Sequence, residues 1–113
     1  MNDVTMTALQ SMLRGLSARQ RTIAHNIANV ETPGFVAKRV EFEASLKRAL
    51  DRGTGAAAPT TRTSSNPVMP NGNNVQIDEE VLDQQETAIR YQLAIEAMTS
   101  KFNLIRSSMR STI

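Results

Sequence analysis

The sequence predicts an all-α protein, an elongated antiparallel hairpin or coiled coil of long N- and C-terminal helices. Two observations predict it. Apolar residues near both ends of the chain recur at alternating spacings of three and four, the heptad pattern of helices that pack along one seam. Between the ends lies a polar stretch, rich in Pro and Gly, without that pattern. We therefore expect a short middle helix and a long polar, partly disordered linker between the two long helices.

The N-terminal helix is expected over about residues 4–29, roughly 40 Å at 1.5 Å per residue. Its seam is apolar apart from one glutamine: Met6, Leu9, Leu13, Leu16, Gln20, Ile23, Ile27 and Val30. Asn29 is a suitable C-cap. The helix should end there because Pro33 removes a backbone donor and forces Thr32 out of the α region. Gly34 can then supply the positive φ of a type II turn.

The middle of the chain divides into a helical and a polar part. Phe42, Leu46 and Leu50 have helical spacing, which predicts a short helix over about residues 41–51. Residues 53–74 hold three of the four prolines and no aromatic residue. Such a stretch buries too little to offset an ordering entropy of about 1–2 kcal/mol per residue. We expect it to lack regular structure and to be mobile in a free subunit.

The C-terminal helix is expected over about residues 78–110, roughly 50 Å long. Asp78 can cap it, and its acidic first turns and basic last turns both complement the helix dipole. Its seam again contains one glutamine: Val81, Gln84, Ala88, Tyr91, Ile95, Met98, Phe102, Ile105 and Met109. A polar residue at a seam position often sets the register of packing helices.

Apolar residues also lie outside these seams. The C-terminal helix carries a second line of large side chains: Leu82, Ile89, Leu93 and Leu104. On the N-terminal helix, Ala8, Met12 and Gly15 are small or flexible and allow close approach. At roughly 25 cal/mol per Å² buried, an isolated helix pair of this size is only marginally stable. We expect packing against other copies to supply the missing burial.

Composition excludes several classes of function. The chain has 113 residues, one histidine, no cysteine and four aromatic residues, which leaves room for one domain and no Cys/His zinc site or thiol catalysis. A net charge of +2 is too small to indicate nucleic-acid binding. These features point away from an enzyme, a cofactor or a small-molecule substrate. We also expect neither a cleaved signal peptide nor a membrane span, because charged residues interrupt every apolar run.

Three polar features have simple structural interpretations. His25 has no second histidine beside it, so we expect it to be solvated or at an interface. The acidic group at residues 78–83 lacks the spacing of a calcium loop and is explained by the helix dipole. Residues 1–52 carry eight cations and five anions, whereas the stretch from Asp78 carries four and six. This difference suggests charge complementarity between subunits.

A resemblance follows from two sets of motifs. Residues 24–35, AHNIANVETPGF, resemble the N-terminal signature of bacterial flagellar rod and hook proteins, a long helix with an Asn-x-x-Asn pair followed by Thr-Pro-Gly-aromatic. Residues 72–75, residues 90–92 and residues 101–106 are similar to proximal members of the flagellar basal-body rod family. Asn26 and Asn29 could cap the helix end, or their amides could bond the adjoining segment or a neighbouring subunit.

The resemblance implies a structural subunit of the proximal rod in the periplasmic space. Such subunits are exported unfolded by the flagellar type III export apparatus without a cleaved signal peptide, and they pack their terminal helices into a hollow shaft that transmits torque. The implied partners are copies of the chain, other rod proteins, the membrane ring, and the adaptor between rod and ring. Alternatives are another short rod subunit, or a cytoplasmic helical adaptor or export chaperone.

The expected organisation has three parts. Residues 1–35 would form the N-terminal helix and turn of the rod core domain, residues 36–77 the short helix and flexible linker, and residues 78–113 the C-terminal helix of the core domain. The residues expected to pack or interact between subunits are Leu9, Leu13, Leu16, Ile23, Asn26, Ile27, Asn29, Thr32, Pro33, Gly34, Phe35, Val81, Ile89, Tyr91, Ile95, Met98, Phe102 and Ile105.

Overall fold

A computed structural model describes residues 3–111; the ends of the predicted terminal parts, residues 1–2 and 112–113, lie outside the described residues. The elements are α1 (Val4–Ala28), β1 (Lys38–Glu41), α2 (Glu43–Asp51), β2 (Thr60–Thr63) and α3 (Ile77–Ser111). The molecule measures 68 × 26 × 14 Å. The predicted elongated, mainly helical hairpin is therefore confirmed, with the addition of a two-stranded sheet.

The two long helices pack antiparallel. At one end, Nζ of Lys101 lies 3.1 Å from Oδ2 of Asp3, which also caps α1 by accepting from the backbone N–H of Thr5. At the other end, the Asn26 amide of α1 donates to Glu80 of α3 over 3.2 Å. Because α3 is longer than α1, residues 102–111 continue beyond the Asp3–Lys101 contact; we call them the C-terminal overhang.

The end of α1 follows the local signals in the sequence. The Asn29 N–H donates to the carbonyl groups of His25 and Asn26, which makes Asn29 the C-cap. Phe35 donates its N–H to the Thr32 carbonyl over 3.2 Å, and Gly34 has a φ of 76°. The predicted Pro-Gly turn is thus confirmed.

The short helix α2 begins two residues later than expected, after Phe42, whose ring packs against α1. A Cβ at Gly15 would lie 2.3 Å from that ring, closer than any real contact. The expectation that Gly15 admits another copy is therefore wrong, because its own chain's Phe42 fills the space. A small hydrophobic cluster is centred on this contact; its buried members are Leu16, Phe42, Leu46 and Ala94.

The prediction that residues 53–74 have no regular structure is wrong for Thr60–Thr63. This segment forms β2 and pairs antiparallel with β1, with Arg62 opposite Arg39. Upstream of it, the buried Ser11 hydroxyl donates to the Gly55 carbonyl over 2.8 Å and accepts from the Ala57 N–H over 3.1 Å. These hydrogen bonds to backbone groups attach the segment together with Ala57, which packs against the core. Hydrophobic patterning does not report such hydrogen bonds.

The predicted seam of α3 is partly wrong. Glu80, Thr87 and Ala94 are its buried residues, whereas the predicted seam residues Val81, Ile95 and Phe102 are exposed. Tyr91, Met98 and Ile105 are half-buried, so part of the predicted seam does turn inward. Small side chains at positions 87 and 94 let the helices approach closely, and the larger apolar residues are left outside.

The start of α3 differs slightly from expectation as well. The helix begins at Ile77, and the Glu80 N–H donates to the Gln76 carbonyl over 3.0 Å, so Asp78 lies in the first turn rather than at the cap. None of the helices in the described part of the chain has an apolar stretch long enough to cross a membrane.

Candidate subunit-packing surfaces

Asn26 joins three elements at the end where α1 stops. Its buried amide donates to the Lys38 carbonyl over 2.8 Å and accepts from the Lys38 N–H over 3.1 Å. The same amide donates to the Glu80 carboxylate over 3.2 Å. The side chain therefore pairs with β1 as another strand would, and connects α1 and β1 to α3.

Asn73 holds the Thr-Pro-Gly turn from the opposite side. It is fully buried, and its amide donates to the carbonyl groups of Asn29 over 2.9 Å and Thr32 over 2.8 Å. Its side-chain oxygen accepts from the Val75 N–H over 2.8 Å. The turn after α1 and the segment before α3 are thereby fixed to one another.

Asn74 bonds the backbone segments that precede β1 and follow β2. Its side-chain oxygen accepts from the Ala37 N–H over 2.6 Å, and its amide donates to the carbonyl groups of Ser64 and Asn66 over 3.3 and 3.2 Å. We call the four residues Asn26, Asn29, Asn73 and Asn74 the asparagine joint. Amides can donate and accept at once, which suits positions where several backbone segments meet.

Charged residues surround the joint. Arg39 of β1 forms ion pairs with Glu79 and, at 3.6 Å, with Asp83 of α3, and these carboxylates raise the pKa of its guanidinium. Glu80 is buried beside them. Burial raises the pKa of its carboxyl group, and the hydrogen bond from Asn26 opposes this rise.

A second charged contact ties α1 to the start of α2. Arg19 binds Glu43 in a bidentate pair with both distances 2.7 Å, donates to the Val40 carbonyl, and lies 4.9 Å from the centre of the Phe42 ring. Chiefly through hydrogen bonds from Arg19, the pKa of Glu43 falls to about 2. Arg90 of α3 is a second ion-pair partner of Glu43, at 3.4 Å.

These ion pairs line a polar cleft of about 360 Å³ between β1 and α3. Both cations and anions line its walls, and most of them pair with one another. Within residues 3–111, no three His, Asp or Glu side chains are grouped so that they could hold a metal ion. The arrangement is one of structural ion pairs that join elements.

The outer face of α3 has a different character. Leu82, Ile89, Leu93 and Leu104, which we call the α3 stripe, are all more than half exposed. In the overhang, Phe102 is 54% exposed. Apolar side chains of this size in a row on one helix face are typical of an interaction surface.

An apolar groove of about 500 Å³ lies where α1, α2 and α3 meet. Its walls consist mainly of aliphatic side chains: Leu9, Met12, Leu16, Leu46, Leu50 and Leu93. Glu43, Lys47 and Arg90 lie at its rim. It is a second apolar surface open to solvent, and it shares Leu93 with the α3 stripe.

Comparison with known proteins agrees with this geometry. Residues 4–35 match the family model described as flagella basal body rod protein. The chain is 30% identical over 114 residues to the flagellar basal body rod protein FlgB of Proteus mirabilis, covering 81% of this chain and 83% of that protein. The chain belongs to the flagellar basal-body rod family. It is also similar to FlgB of Bacillus subtilis, 28% identical over 91% of each chain, and of Escherichia coli, 24% identical over 96% and 95%.

In this member of the rod family, the predicted packing residues fall into three groups. Leu16, Ile23 and Asn26 are buried within the chain. Others are half-buried along the helix contact or the turn: Leu9, Leu13, Ile27, Asn29, Phe35, Tyr91, Met98 and Ile105. The remainder are exposed: Thr32, Pro33, Gly34, Val81, Ile89, Ile95 and Phe102. Within the last group, Ile89 and Phe102 are more than half exposed, whereas Val81 and Ile95 are 40% and 36% exposed.

The two asparagines of the rod-family motif have different roles in the chain. Asn26 bonds the adjoining segment, as described above. The Asn29 amide donates to the His25 carbonyl over 2.8 Å, and its oxygen accepts from the Thr32 hydroxyl over 3.1 Å, so it caps the helix. His25 is exposed, and its ring meets that of Phe35 edge-on at 5.5 Å.

Several buried polar residues in or beside the joint are not among the site residues that the sequence predicts. Asn73, Asn74 and Glu80 are buried although they are polar, and hydrophobic patterning places such residues outside. The available signal was the Gly72-Asn73-Asn74 run directly before a helix, since asparagine is favoured where side chains bond the backbone of turns. Its long-range partners, more than 30 residues away, could not be inferred from it.

Proposed function

We propose that this chain is a structural subunit of the proximal flagellar rod, which polymerises through its terminal helices into a hollow shaft that transmits torque. Membership of the rod family supports the basal-body role. The finer assignment to the proximal rod rests on similarity to FlgB proteins over most of the chain. In this proposal the partners are copies of the chain, other rod proteins, and the adaptor and membrane ring at the base of the rod.

The observation that carries the proposal is the exposure of large apolar side chains on α3. Leu82 and Leu104 are each 64% exposed, whereas the buried residues of the same helix are Glu80, Thr87 and Ala94. A chain that stood alone would gain stability by turning its leucines inward. The reverse arrangement is what a subunit needs if its best apolar surface is covered by neighbours in a polymer.

The structure also suggests how such a subunit transmits force. The asparagine joint and the ion pairs of Arg39 connect α1, the sheet and the start of α3 by hydrogen bonds rather than by a large core. Buried, fully bonded polar networks hold one geometry. Torque applied to α3 would therefore pass to α1 without the helices sliding past each other. We further propose export through the type III apparatus without a cleaved signal peptide, and a final position in the periplasmic rod.

Complementation tests the proposal. In a bacterial strain without its own proximal rod subunit, we expect this chain to restore swimming and to purify with hook–basal bodies. Leu104→Asp should abolish both, because it places a charge on the α3 stripe at an exposed position that the monomer does not need for folding. Asn103→Asp, which adds the same charge one residue earlier, is the matched control and should swim.

Two results would contradict the proposal. One is normal swimming of the Leu104→Asp strain with variant subunits in its basal bodies. The other is recovery of the wild-type chain only in the cytoplasm, bound to an export substrate, which would favour the adaptor or chaperone alternative.

A further inference from the structure

The apolar groove and the start of the α3 stripe are complementary surfaces on the same chain. The groove has a volume of about 500 Å³, and an apolar cavity of ~150 Å³ is already large enough for a benzene molecule. Leu82 and Ile89 are seven residues apart, so they lie on one face of α3 about two turns from each other. Both are more than 60% exposed. Two branched aliphatic side chains on one helix face are suitable occupants of such a groove.

Charge also distinguishes the two surfaces. The first ten residues of α3, 77–86, contain five acidic side chains and no basic one. The groove-bearing helix α2 has two cations and two anions, and its C-cap Arg52 adds a third cation. Within the described residues, Asp78 near Leu82 and Lys47 at the groove rim make no ion pair. Unpaired charges of opposite sign therefore flank the two apolar surfaces.

The contact cannot form within one molecule. Leu82 and Ile89 lie on α3, and so does Leu93, which is part of the groove wall. A continuous helix holds Leu82 about 16 Å and Ile89 about 6 Å from position 93 along its axis, so the chain cannot fold these two side chains into its own groove. The occupant has to be another molecule.

We propose that Leu82 and Ile89 of one copy bind in the apolar groove of a second copy, with Asp78 directed towards the cationic rim at Lys47. This inference rests on the proposed function and specifies its subunit contact. The two surfaces differ, so the contact is heterologous: each copy retains an open groove at one side and an open stripe at the other. Such contacts add subunits without limit and produce rings or open helical polymers.

Mixing two blocked variants tests the contact. Leu82→Lys combined with Ile89→Lys removes the apolar stripe but keeps the groove, and Leu50→Glu blocks the groove but keeps the stripe. Leu50 is 44% exposed, so its substitution should leave the fold intact, which circular dichroism and thermal unfolding check. Val68→Lys, an exposed apolar residue away from both surfaces, is the matched control.

Sedimentation velocity gives the readout. We expect wild type and Val68→Lys to associate with rising concentration, and each blocked variant alone to associate at least tenfold more weakly. A one-to-one mixture of the blocked variants should form a dimer that does not grow further, because only one functional surface remains on each copy. A mixture that stays monomeric, or blocked variants that associate like wild type, would overturn the contact.

Cysteine cross-linking provides a second measurement in cells, since the chain has no native cysteine. A chain with Leu50→Cys and Leu82→Cys should form a ladder of disulfide-linked oligomers on oxidation, whereas Val68→Cys with Leu82→Cys should not. If wild type restores swimming but neither experiment detects the contact, only this inference fails. If wild type does not restore swimming, the proposed rod function fails, whatever the purified chain does.

Discussion

The two ends of the helix pair differ in whether their side chains find partners within the chain. At the end that contains the asparagine joint, amide side chains bond α1, the sheet and α3 to one another, and no buried side-chain nitrogen or oxygen of the described residues lacks a partner. At the other end, α3 extends beyond α1, and the overhang exposes Phe102 and Leu104. At the joint end, the polar groups find their partners within the chain, whereas the overhang makes no such network and exposes its large apolar side chains. Under the proposed function, the first arrangement holds the fold and the second is available for assembly.

Truncating a phenylalanine should give the largest difference in stability between the interior of the subunit and the overhang. Phe42→Ala removes a ring that is 3% exposed and packs on Gly15, so we expect the free energy of unfolding to fall by about 3–5 kcal/mol. Phe102→Ala makes the same change in the overhang, where the ring is 54% exposed, and should cost less than about 1 kcal/mol. Urea unfolding of both variants measures this difference.

Phe42→Ala and Phe102→Ala should also differ in their effect on assembly. The sequence predicts Ile95 and Phe102 on the seam between the helices, and the structure places them at the surface. We therefore expect Phe102→Ala to reduce swimming without unfolding the subunit. Equal losses of stability in Phe42→Ala and Phe102→Ala would show that the overhang is packed inside the subunit after all.

Truncation of Asn73 tests the end that contains the asparagine joint. Asn73→Ala leaves the carbonyl groups of Asn29 and Thr32 and the Val75 N–H without their partner in a buried site. Since each buried group left unsatisfied costs about 1–3 kcal/mol, we expect a total loss of about 2–4 kcal/mol in thermal or urea unfolding. Asn103→Ala in the overhang is the control and should change stability by less than about 0.5 kcal/mol. A mild Asn73→Ala phenotype would mean that the joint does not hold the turn.

The Arg19–Glu43 pair should give a smaller, pH-dependent effect. The pKa of Glu43 lies at about 2, below its ordinary value of 4.5, so its contribution to stability is present above pH 4.5 and is lost as the pH falls towards 2. Because Glu43 is about half exposed, we expect Glu43→Gln to cost only about 1 kcal/mol at pH 7. The cost should disappear near pH 2. A difference from wild type that is constant between pH 2 and 7 would contradict the pairing.

Glu80 should behave in the opposite way. Burial raises the pKa of its carboxyl group, so its contribution favours folding at low pH and is lost as the pH rises from the ordinary range through the raised value. Glu80→Gln keeps an oxygen that accepts from Asn26 but cannot ionise. We expect the stability of the variant not to decline in this way as the pH rises. Its melting temperature at pH 7 should be slightly higher than that of wild type. A lower melting temperature at pH 7 would show that the charge of Glu80, rather than its hydrogen bond, holds the joint.

The smallest effect is expected in the strand β2. Arg62 pairs with Glu41 over 2.6 Å, but both side chains are more than half exposed. Exposed ion pairs of this kind contribute about 0–1 kcal/mol. Arg62→Ala should therefore change the unfolding free energy by less than about 0.5 kcal/mol and leave swimming unchanged. A larger loss would place β2 among the elements that the joint depends on.

Much of the fold could be predicted because its signals are local. The ends of α1 follow from a capping aspartate, the Asn29 cap and the Pro33-Gly34 turn, and α3 follows from its apolar period and charge gradient. The sheet could not be predicted, since Thr60–Thr63 is too short and polar to carry a strand pattern. The apolar stripe of α3 was visible in the sequence, but the groove was not, because residues from three helices form it.

The sequence by itself determined which segments are helical, where the first helix stops, and that more apolar surface exists than one helix pair can bury. The tertiary structure decided which side of α3 faces α1. That choice depends on how closely two backbones can approach, which favours Thr87 and Ala94 over Ile95 and Phe102 although the latter are more hydrophobic. It also depends on the Asn26 amide reaching the Glu80 carboxylate and the Asn73 amide reaching the Asn29 carbonyl, and hydrogen bonds of that range leave no periodic pattern in a sequence.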